Sequence, residues 1–473
     1  MFETIEEGAM NEDSKPASEP GGGSKEEGIS ALDRRVAGID VGSKAHWVCA
    51  PAREGEGREV QAFGATTPEL EKMVEWLLER GVESVALEST GVYWIPVHEV
   101  LERRGLKVLL VDTRALARVP GRTKTDRRDC QWIQRLHSCG LLQGAFRPPE
   151  AICMLRTLVR DKGNLVAEQG DWVRRMQKSL EQMNVRVHRA VADLTGATGM
   201  ALVRAIVKGE RDPRQLAKLR DPRCHKSEEE IAEQLTGHWR EDHLFSLGQA
   251  LKMYEAIQER IQDYEQAILE KLQDMEREEC RGEEPAELKN KEKAKAIRKR
   301  GEEPLRQALY RVSGADLTAI DGIGVEAVQA VTSEYGTDLS VFANEKQFVS
   351  HVLLAPNRPT SGGKPVKKRK RRCSASSRVA AALRMAALSV RHSQTALGAY
   401  YRQIARHKGG DVAVFATARK LATLIYRMLR WGKSYVDEGV EAYEKRYRQA
   451  RLRRLTTTAR ELGYQLTPLT AQA

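Results

Sequence analysis

Four acids and one serine carry the chemistry that this chain could perform. Asp40 ends the apolar run Val36–Asp40, inside Gly38-Ile39-Asp40-Val41-Gly42-Ser43. Glu88 ends a second apolar run and precedes Ser89-Thr90-Gly91. Asp126 and Asp129 stand three residues apart in Lys124-Thr125-Asp126-Arg127-Arg128-Asp129, and a helix starting at Thr125 would put both on one face. A carboxylate at a strand end is held rigidly while its oxygens face a cleft. Four carboxylates in one cleft repel one another unless cations neutralise them. Mg²⁺ suits that task because it takes oxygen ligands and keeps substrate phosphate oxygens in its shell. Two such ions about 4 Å apart stabilise both the attacking and the leaving oxygen in phosphoryl transfer.

The serine is Ser361, in Thr360-Ser361-Gly362-Gly363. Three residues on, Lys364 to Arg372 hold seven cationic side chains in nine residues, with Lys367, Lys368, Arg369, Lys370, Arg371 and Arg372 in one block. A hydroxyl beside such a phosphate-attracting run points to chemistry on nucleic acid rather than to binding alone. A serine hydroxyl needs activation near neutral pH. His351 is the one histidine nearby, and no Ser-His-Asp arrangement is visible in the sequence. Activation through the acids and their metal is the expectation, with the adjacent Thr360 as the second candidate nucleophile.

These residues need elements to position them. With 473 residues, two or three domains are expected. The net charge of +12 suggests a polyanionic partner. Residues 1–34 run the other way, with nine acidic and three basic side chains, and read as a disordered acidic tail, either shielding the basic body or simply solvated. Seven scattered cysteines without a C-x-x-C pair support neither a disulfide framework nor a structural zinc site. The chain has no apolar stretch near the 18 residues of a membrane span and no signal-peptide pattern, so a soluble cytoplasmic protein is expected, nucleoid-associated when active.

Strands are expected at 36–40, 46–50, 59–63, 84–87 and 106–111, with helices at 68–80 and 94–103. Three strands followed by β-α-β-α units make residues 35–150 an α/β domain with a mixed sheet. Ile152, Leu155, Val159, Val166, Val173, Met176, Leu180, Met183 and Val187 then trace a coiled-coil-like seam that misses at Lys162 and Gln169. Leu247 to Met275 trace a second. Two such helices make an assembly arm or, alternatively, an intramolecular bundle. The charged stretch 276–303 reads as a helix extension or a linker, closing a helical region 151–304. A helical, Ala- and Arg-rich domain covers 305–455, with a tail at 456–473. Within it Leu317 to Val328 resembles a helix-hairpin-helix turn, in which Gly322 and Gly324 would let backbone N–H groups approach a DNA phosphate. An αα-hairpin with no ligand is the alternative.

The motifs Gly-Ile-Asp-Val-Gly-Ser-Lys, Leu-Glu-Ser-Thr-Gly-Val-Tyr-Trp and Lys-Thr-Asp-Arg-Arg-Asp, with Gly140 to Pro149, resemble the DEDD-type insertion-sequence transposases, relatives of the Piv invertases. Leu354 to Lys364, Arg378 to Arg384, Ser393 to Arg402, Thr417 to Ala422 and Tyr435 to Gly439 resemble that family's C-terminal serine domain. The resemblance implies a RuvC-like, ribonuclease-H-fold domain whose metal-binding acids are Asp40, Glu88, Asp126 and Asp129, and a nucleophile at Ser361. It also implies donor and target DNA, an element-encoded guide RNA (a bridge RNA), and composite sites in a dimer or tetramer. The expected enzyme is a transposase that cuts and rejoins DNA through a Mg²⁺-assisted serine. A RuvC-like metal-dependent endonuclease or junction resolvase without serine chemistry is the alternative, and a DNA-architectural protein with a decayed site is a third. Asp-x-Gly-Ser also occurs in the phosphate turn of actin-like ATPases, but no adenosine-site glycine cluster accompanies it here.

Overall fold

The computed structural model describes residues 33–54, 57–89, 91–111, 125–222, 224, 226–356, 360–362, 364–365, 377–432 and 439–467. The acidic tail up to residue 32 and the basic block Lys367 to Arg372 lie outside them. The chain divides into two compact units after Arg147.

The first unit is a five-stranded sheet with helices on both faces. Its strands are β1 (Val36–Val41), β2 (Ala45–Pro51), β3 (Arg58–Gly64), β4 (Ser84–Glu88) and β5 (Lys107–Val111), in spatial order β3-β2-β1-β4-β5. β1, β2 and β3 form an antiparallel meander. β4 pairs parallel with β1, and β5 pairs parallel with β4. Parallel neighbours need a crossover, which α1 (Thr67–Leu78) and α2 (Trp94–Arg103) supply. Leu70, Met73, Val74 and Leu77 of α1, with Val97, Val100 and Leu101 of α2, bury against Ala37, Ile39, Val41, Val85 and Leu87.

Side chains alternate along a strand, so Gly38, Asp40, Ala86 and Glu88 point to the opposite face. α3 (Asp126–Ser138) covers that face, packing Ile133 and Leu136 on Ala86 and Val111. Gly38 permits the approach. A Cβ there would lie 2.3 Å from the Gln134 nitrogen and 2.6 Å from the Cys130 carbonyl oxygen. The Gln134 amide donates to the Val36 carbonyl oxygen at 3.2 Å. α3 therefore runs antiparallel to β1, with its first turn toward Asp40.

The second unit is almost all helical. α4 (Glu150–Gln182) ends earlier than its seam suggested. Asn184 takes a left-handed φ of 57° and the Val185 N–H bonds back to the Leu180 carbonyl at 2.9 Å. Asparagine tolerates that conformation and stops the helix. Val187 instead opens the short α5 (Val187–Ala190). α6 (Ala197–Val207), α7 (Pro213–Ala217) and α8 (Glu228–Leu235) follow. They pack with Met176, Leu180 and Leu247 in one apolar core at the far end of the long helices.

α9 (Glu241–Asp274) returns antiparallel along α4. The two places where the apolar seam fails are polar bridges between the helices. Lys162 meets Glu265 at 2.8 Å, and the Gln169 amide donates to Gln258 at 2.7 Å. Val166, counted in the seam, is 48% exposed. The two seams thus meet within one chain.

The stretch 276–303, expected as a helix extension or a linker, does not continue α9. α9 stops at Asp274, a 3-10 turn spans Glu278–Cys280, and α10 (Lys291–Lys299) buries Ile297 completely. α11 (Glu303–Ser313), a 3-10 turn at Leu317–Ala319, α12 (Val325–Tyr335) and α13 (Glu345–His351) come next. A hairpin of β6 (Thr360–Ser361) and β7 (Lys364–Pro365) precedes α14 (Arg378–Ser389), α15 (Ala396–Lys408), α16 (Gly410–Trp431) and α17 (Gly439–Glu461). Glu334 of α12 takes a two-pronged ion pair from Arg160 of α4, at 2.8 and 2.7 Å. Tyr426 of α16 is buried and donates its hydroxyl to the Phe342 carbonyl at 2.7 Å.

Two glycine substitutions with opposite outcomes check this packing. Gly38→Ala forces a methyl into the α3 backbone and is expected to cost about 3 kcal/mol of unfolding free energy. Gly170→Ala, mid-helix with nothing nearer than the tip of Arg174 at 3.7 Å, is expected to add about 1 kcal/mol. Urea unfolding of both variants reads the difference.

Candidate active site

The four acids occupy the same end of the first unit. Gly38 pairs with Ala86 and Ile39 with Leu87, so the next residues of these parallel strands are Asp40 and Glu88. They stand on adjacent strands about 5 Å apart, on the face that α3 covers, and both are half-buried. Thr125 caps α3 by accepting from the Arg128 N–H at 3.4 Å, which places Asp126 and Asp129 in the first helical turn. Asp129 is 7% exposed and Asp126 lies at the surface. Carboxylates in a first turn also face the positive end of the helix dipole.

Cys130 marks how close Asp40 comes to that turn. Its thiol is fully buried and pushed up to about 12, first by burial, then by Cys49 and by the negative charge of Asp40. It is a packing residue and not a nucleophile. The donor set is all carboxylate oxygen, which suits a hard divalent cation. Among the described residues no three His, Cys, Asp or Glu side chains form a closed metal-holding group. The fold brings the acids to one end, and the side chains do not close into a ligand shell.

In the second unit, Ser361 is the last residue of β6 and pairs across the hairpin with Lys364, while Thr360 pairs with Pro365. Gly362 turns the chain with a left-handed φ of 57°, as a two-residue hairpin loop requires. Ser361 therefore sits on a strand end beside a tight turn. His351 is engaged elsewhere. Its ring lies 5.6 Å from that of Tyr335 and 5.2 Å from that of Phe342, and its Nδ1 is 3.3 Å from the Tyr335 hydroxyl.

The turn that resembles a helix-hairpin-helix has two unlike glycines. Gly322 takes a φ of 82°, and a Cβ there would lie 2.5 Å from Val390 and 2.7 Å from the Ala386 carbonyl of α14. It is used for packing within the protein. Gly324 caps α12 and has open space around its Cα.

Two cations hold this turn, Arg306 buried and Lys293 half-buried, and neither stood out in the sequence. The Arg306 guanidinium donates to the Thr318 hydroxyl at 3.0 Å, the Ala286 carbonyl at 2.7 Å and Asp316 at 2.6 Å. The Lys293 ammonium donates to the carbonyls of Thr318 and Ile320. Burial takes the Lys293 amine down from 10.5 to about 8, against the pull of Asp321 and Asp316. Lys293 is lost among charged neighbours in the sequence. Its spacing of four from Ile297, the one long apolar side chain of α10, was the available signal.

An α/β domain with acids gathered at one sheet end, joined to a basic helical unit, defines a class of nucleic-acid-processing enzymes. Two family models narrow the class. A DEDD transposase model of the IS110 type matches residues 37–185, and one described as Transposase IS116/IS110/IS902 family matches residues 314–402. Together they span half of the chain. The chain belongs to the IS110-type DEDD transposases, enzymes that cleave DNA and transfer its strands. The first match runs past the sheet and along α4, and the second contains the Gly322 turn and Ser361 but stops at Arg402. No curated protein matches the chain. Among the described residues no helix is long and apolar enough to cross a membrane.

The buried amine gives a pH signature. Its folded value lies below its unfolded one, so between about pH 8 and 10.5 the unfolded chain keeps a proton that the folded chain has released. Stability from this group therefore rises across that window. Relative to Lys293→Met, the wild type is expected to gain up to about 3 kcal/mol from pH 8 to 10.5. Urea titrations of both proteins at the two ends of the window measure it.

Proposed function

We propose that this transposase cuts and rejoins DNA with two sets of its own residues, the acids of the first unit and Ser361 of the second. The first unit reads as a RuvC-like, ribonuclease-H-type domain, supported by its order β3-β2-β1-β4-β5 with β4 and β5 parallel to β1 and the meander antiparallel. The observation that carries the site is the placement of Asp40 and Glu88 at neighbouring strand ends, beneath the helix turn that bears Asp126 and Asp129. These four would hold Mg²⁺, two ions in the fullest form. When bound, the metal neutralises the scissile phosphate and the charge that develops during displacement.

The Ser361 oxygen then attacks phosphorus and forms a phosphoserine bond. The bond from phosphorus to the departing DNA oxygen breaks, the serine proton goes to a nearby base, and the departing oxygen is protonated. Attack by the hydroxyl end of another strand reverses the sequence, restores the serine and reseals DNA without an added energy source. Lys364 and the block Lys367 to Arg372 follow the serine and supply charge for a phosphate backbone. The family resemblance adds a guide RNA whose base pairing selects donor and target, with the protein reading backbone and shape. It also adds assembly as a dimer or tetramer, in which Ser361 and the acid-held phosphate must meet.

A second reading has equal support from the fold. The acids lie on an α/β unit that is complete without the hairpin of Ser361, and a metal-dependent endonuclease would need only them.

Denaturing gels distinguish the two. Purified protein is incubated with Mg²⁺, labelled donor-junction DNA and the element's flanking RNA. A covalent protein–DNA band is expected for wild type and not for Ser361→Ala or with EDTA. Asp40→Asn is expected to slow strand cleavage on the order of 100-fold or more. Cleavage that persists in Ser361→Ala with protein-free ends would establish the metal-only reading. Omitting the RNA tests the guide, since RNA-independent cutting at the same junction removes it from the proposal.

A further inference from the structure

We propose that α17 (Gly439–Glu461) is a separate binding surface for the phosphate backbone of duplex DNA, independent of sequence. The proposal rests on the family's DNA chemistry but not on the assignment of Ser361 or of the acids. It concerns a stretch outside the two matched segments, which end at Arg402.

α17 is unlike the other long helices of its unit. α4 and α9 bury apolar rows against each other, whereas no residue of α17 is buried. It is attached near its start, where the Tyr443 hydroxyl donates to Gln403 of α15 at 2.5 Å and the ring meets Tyr400 edge-on at 6.3 Å. From Lys445 to Arg460 the helix carries seven cations (Lys445, Arg446, Arg448, Arg451, Arg453, Arg454, Arg460) and not one acid.

Elsewhere in the unit several arginines are engaged by carboxylates, as Arg160 is by Glu334 and Arg427 by Glu345. On α17, among the described residues, Arg448, Arg451, Arg453 and Arg454 are exposed, and their side chains enter no ion pair or hydrogen bond. Lys445, Arg448, Arg451 and Arg454 follow one another at three-residue steps, a spacing at which like charges on a helix repel. Even its leucines, Leu452 and Leu455, stay exposed, so the helix gains little from packing. A polyanion removes the repulsion and releases its own counterions. Arg446, Arg453 and Arg460 recur every seven residues, about 10.5 Å apart along one side, so the cationic surface runs the length of the helix. Duplex DNA is the occupant that fits, because this enzyme's substrate is already DNA and a long cationic helix matches a regular line of phosphates.

The test is salt-dependent binding by the full-length protein. Two variants replace Arg448, Arg451, Arg453 and Arg454 together, one with Gln and one with Lys. Probes are a labelled random-sequence DNA duplex, a donor-junction duplex and an RNA hairpin of equal length. Far-UV circular dichroism reports the helix content. The Gln variant is expected to lower the slope of log affinity against log salt by about 3 to 4 for both duplexes, and affinity at low salt by about 100-fold. The Lys variant is expected to keep the wild-type slope, which a purely structural role of the arginines would not predict. Unchanged duplex affinity in the Gln variant overturns the proposal and leaves the transposase reading intact. A loss confined to the RNA hairpin, or an equal loss in the Lys variant, also overturns it. A wild-type protein that binds neither duplex overturns the proposal together with the reading of the enzyme as a DNA recombinase.

Discussion

The backbone-to-backbone contact of α3 on β1 is the constraint from which the first unit's organisation follows. At Gly38 the helix comes so close that a single methyl would collide with main-chain atoms of Cys130 and Gln134. That approach sets the height and direction of α3. Because the helix runs antiparallel to β1, its first turn arrives above Asp40, two residues beyond the glycine on the same face. A helix held even one side chain further out would carry Asp126 and Asp129 away from the strand ends. The other face of the sheet is filled by ordinary burial under α1 and α2, and places no acid.

In the second unit, polar groups set geometry that apolar packing leaves open. The long pair α4 and α9 could slide along a uniform apolar seam. Lys162 with Glu265 and Gln169 with Gln258 allow one register, in the way that a polar residue in a coiled-coil seam specifies alignment. Around the turn before α12, Lys293 satisfies the Thr318 and Ile320 carbonyls, while Arg306 satisfies the Thr318 hydroxyl and the Ala286 carbonyl. These cations are expensive to bury, as the lowered Lys293 amine shows. Their cost is offset by the charge of Asp316 and Asp321 and by the hydrogen bonds they complete.

Much of the first unit was legible. Its five strands and first two helices follow alternation and helical spacing, because those elements bury one face each, and Trp94–Arg103 falls where the spacing put it. The insertion-sequence resemblance read from the motifs around Asp40, Glu88, Asp126 and Asp129 agrees with the family matches. The stop of α4 was not legible. Met183 and Val187 continue the apolar rhythm, and only the left-handed turn at Asn184 breaks it. The path of 276–303 was not legible for a related reason. Its charges mask one buried isoleucine and one half-buried lysine, and composition averages over both.

By itself the sequence determined the inventory: which strands alternate, which acids end them, that Thr125 would cap a helix, and that Ser361 precedes two glycines and a basic run. Those are local properties, carried by side-chain period, capping chemistry and charge. Only the tertiary structure decided that Gly38 is a contact point for α3, that Gly322 packs on α14 while Gly324 stays open, and that the Lys293 amine turns inward onto the Thr318 and Ile320 carbonyls. Each of these depends on an element distant in sequence arriving within van der Waals distance. Close packing of that kind is a property of the folded whole, which no run of adjacent residues encodes.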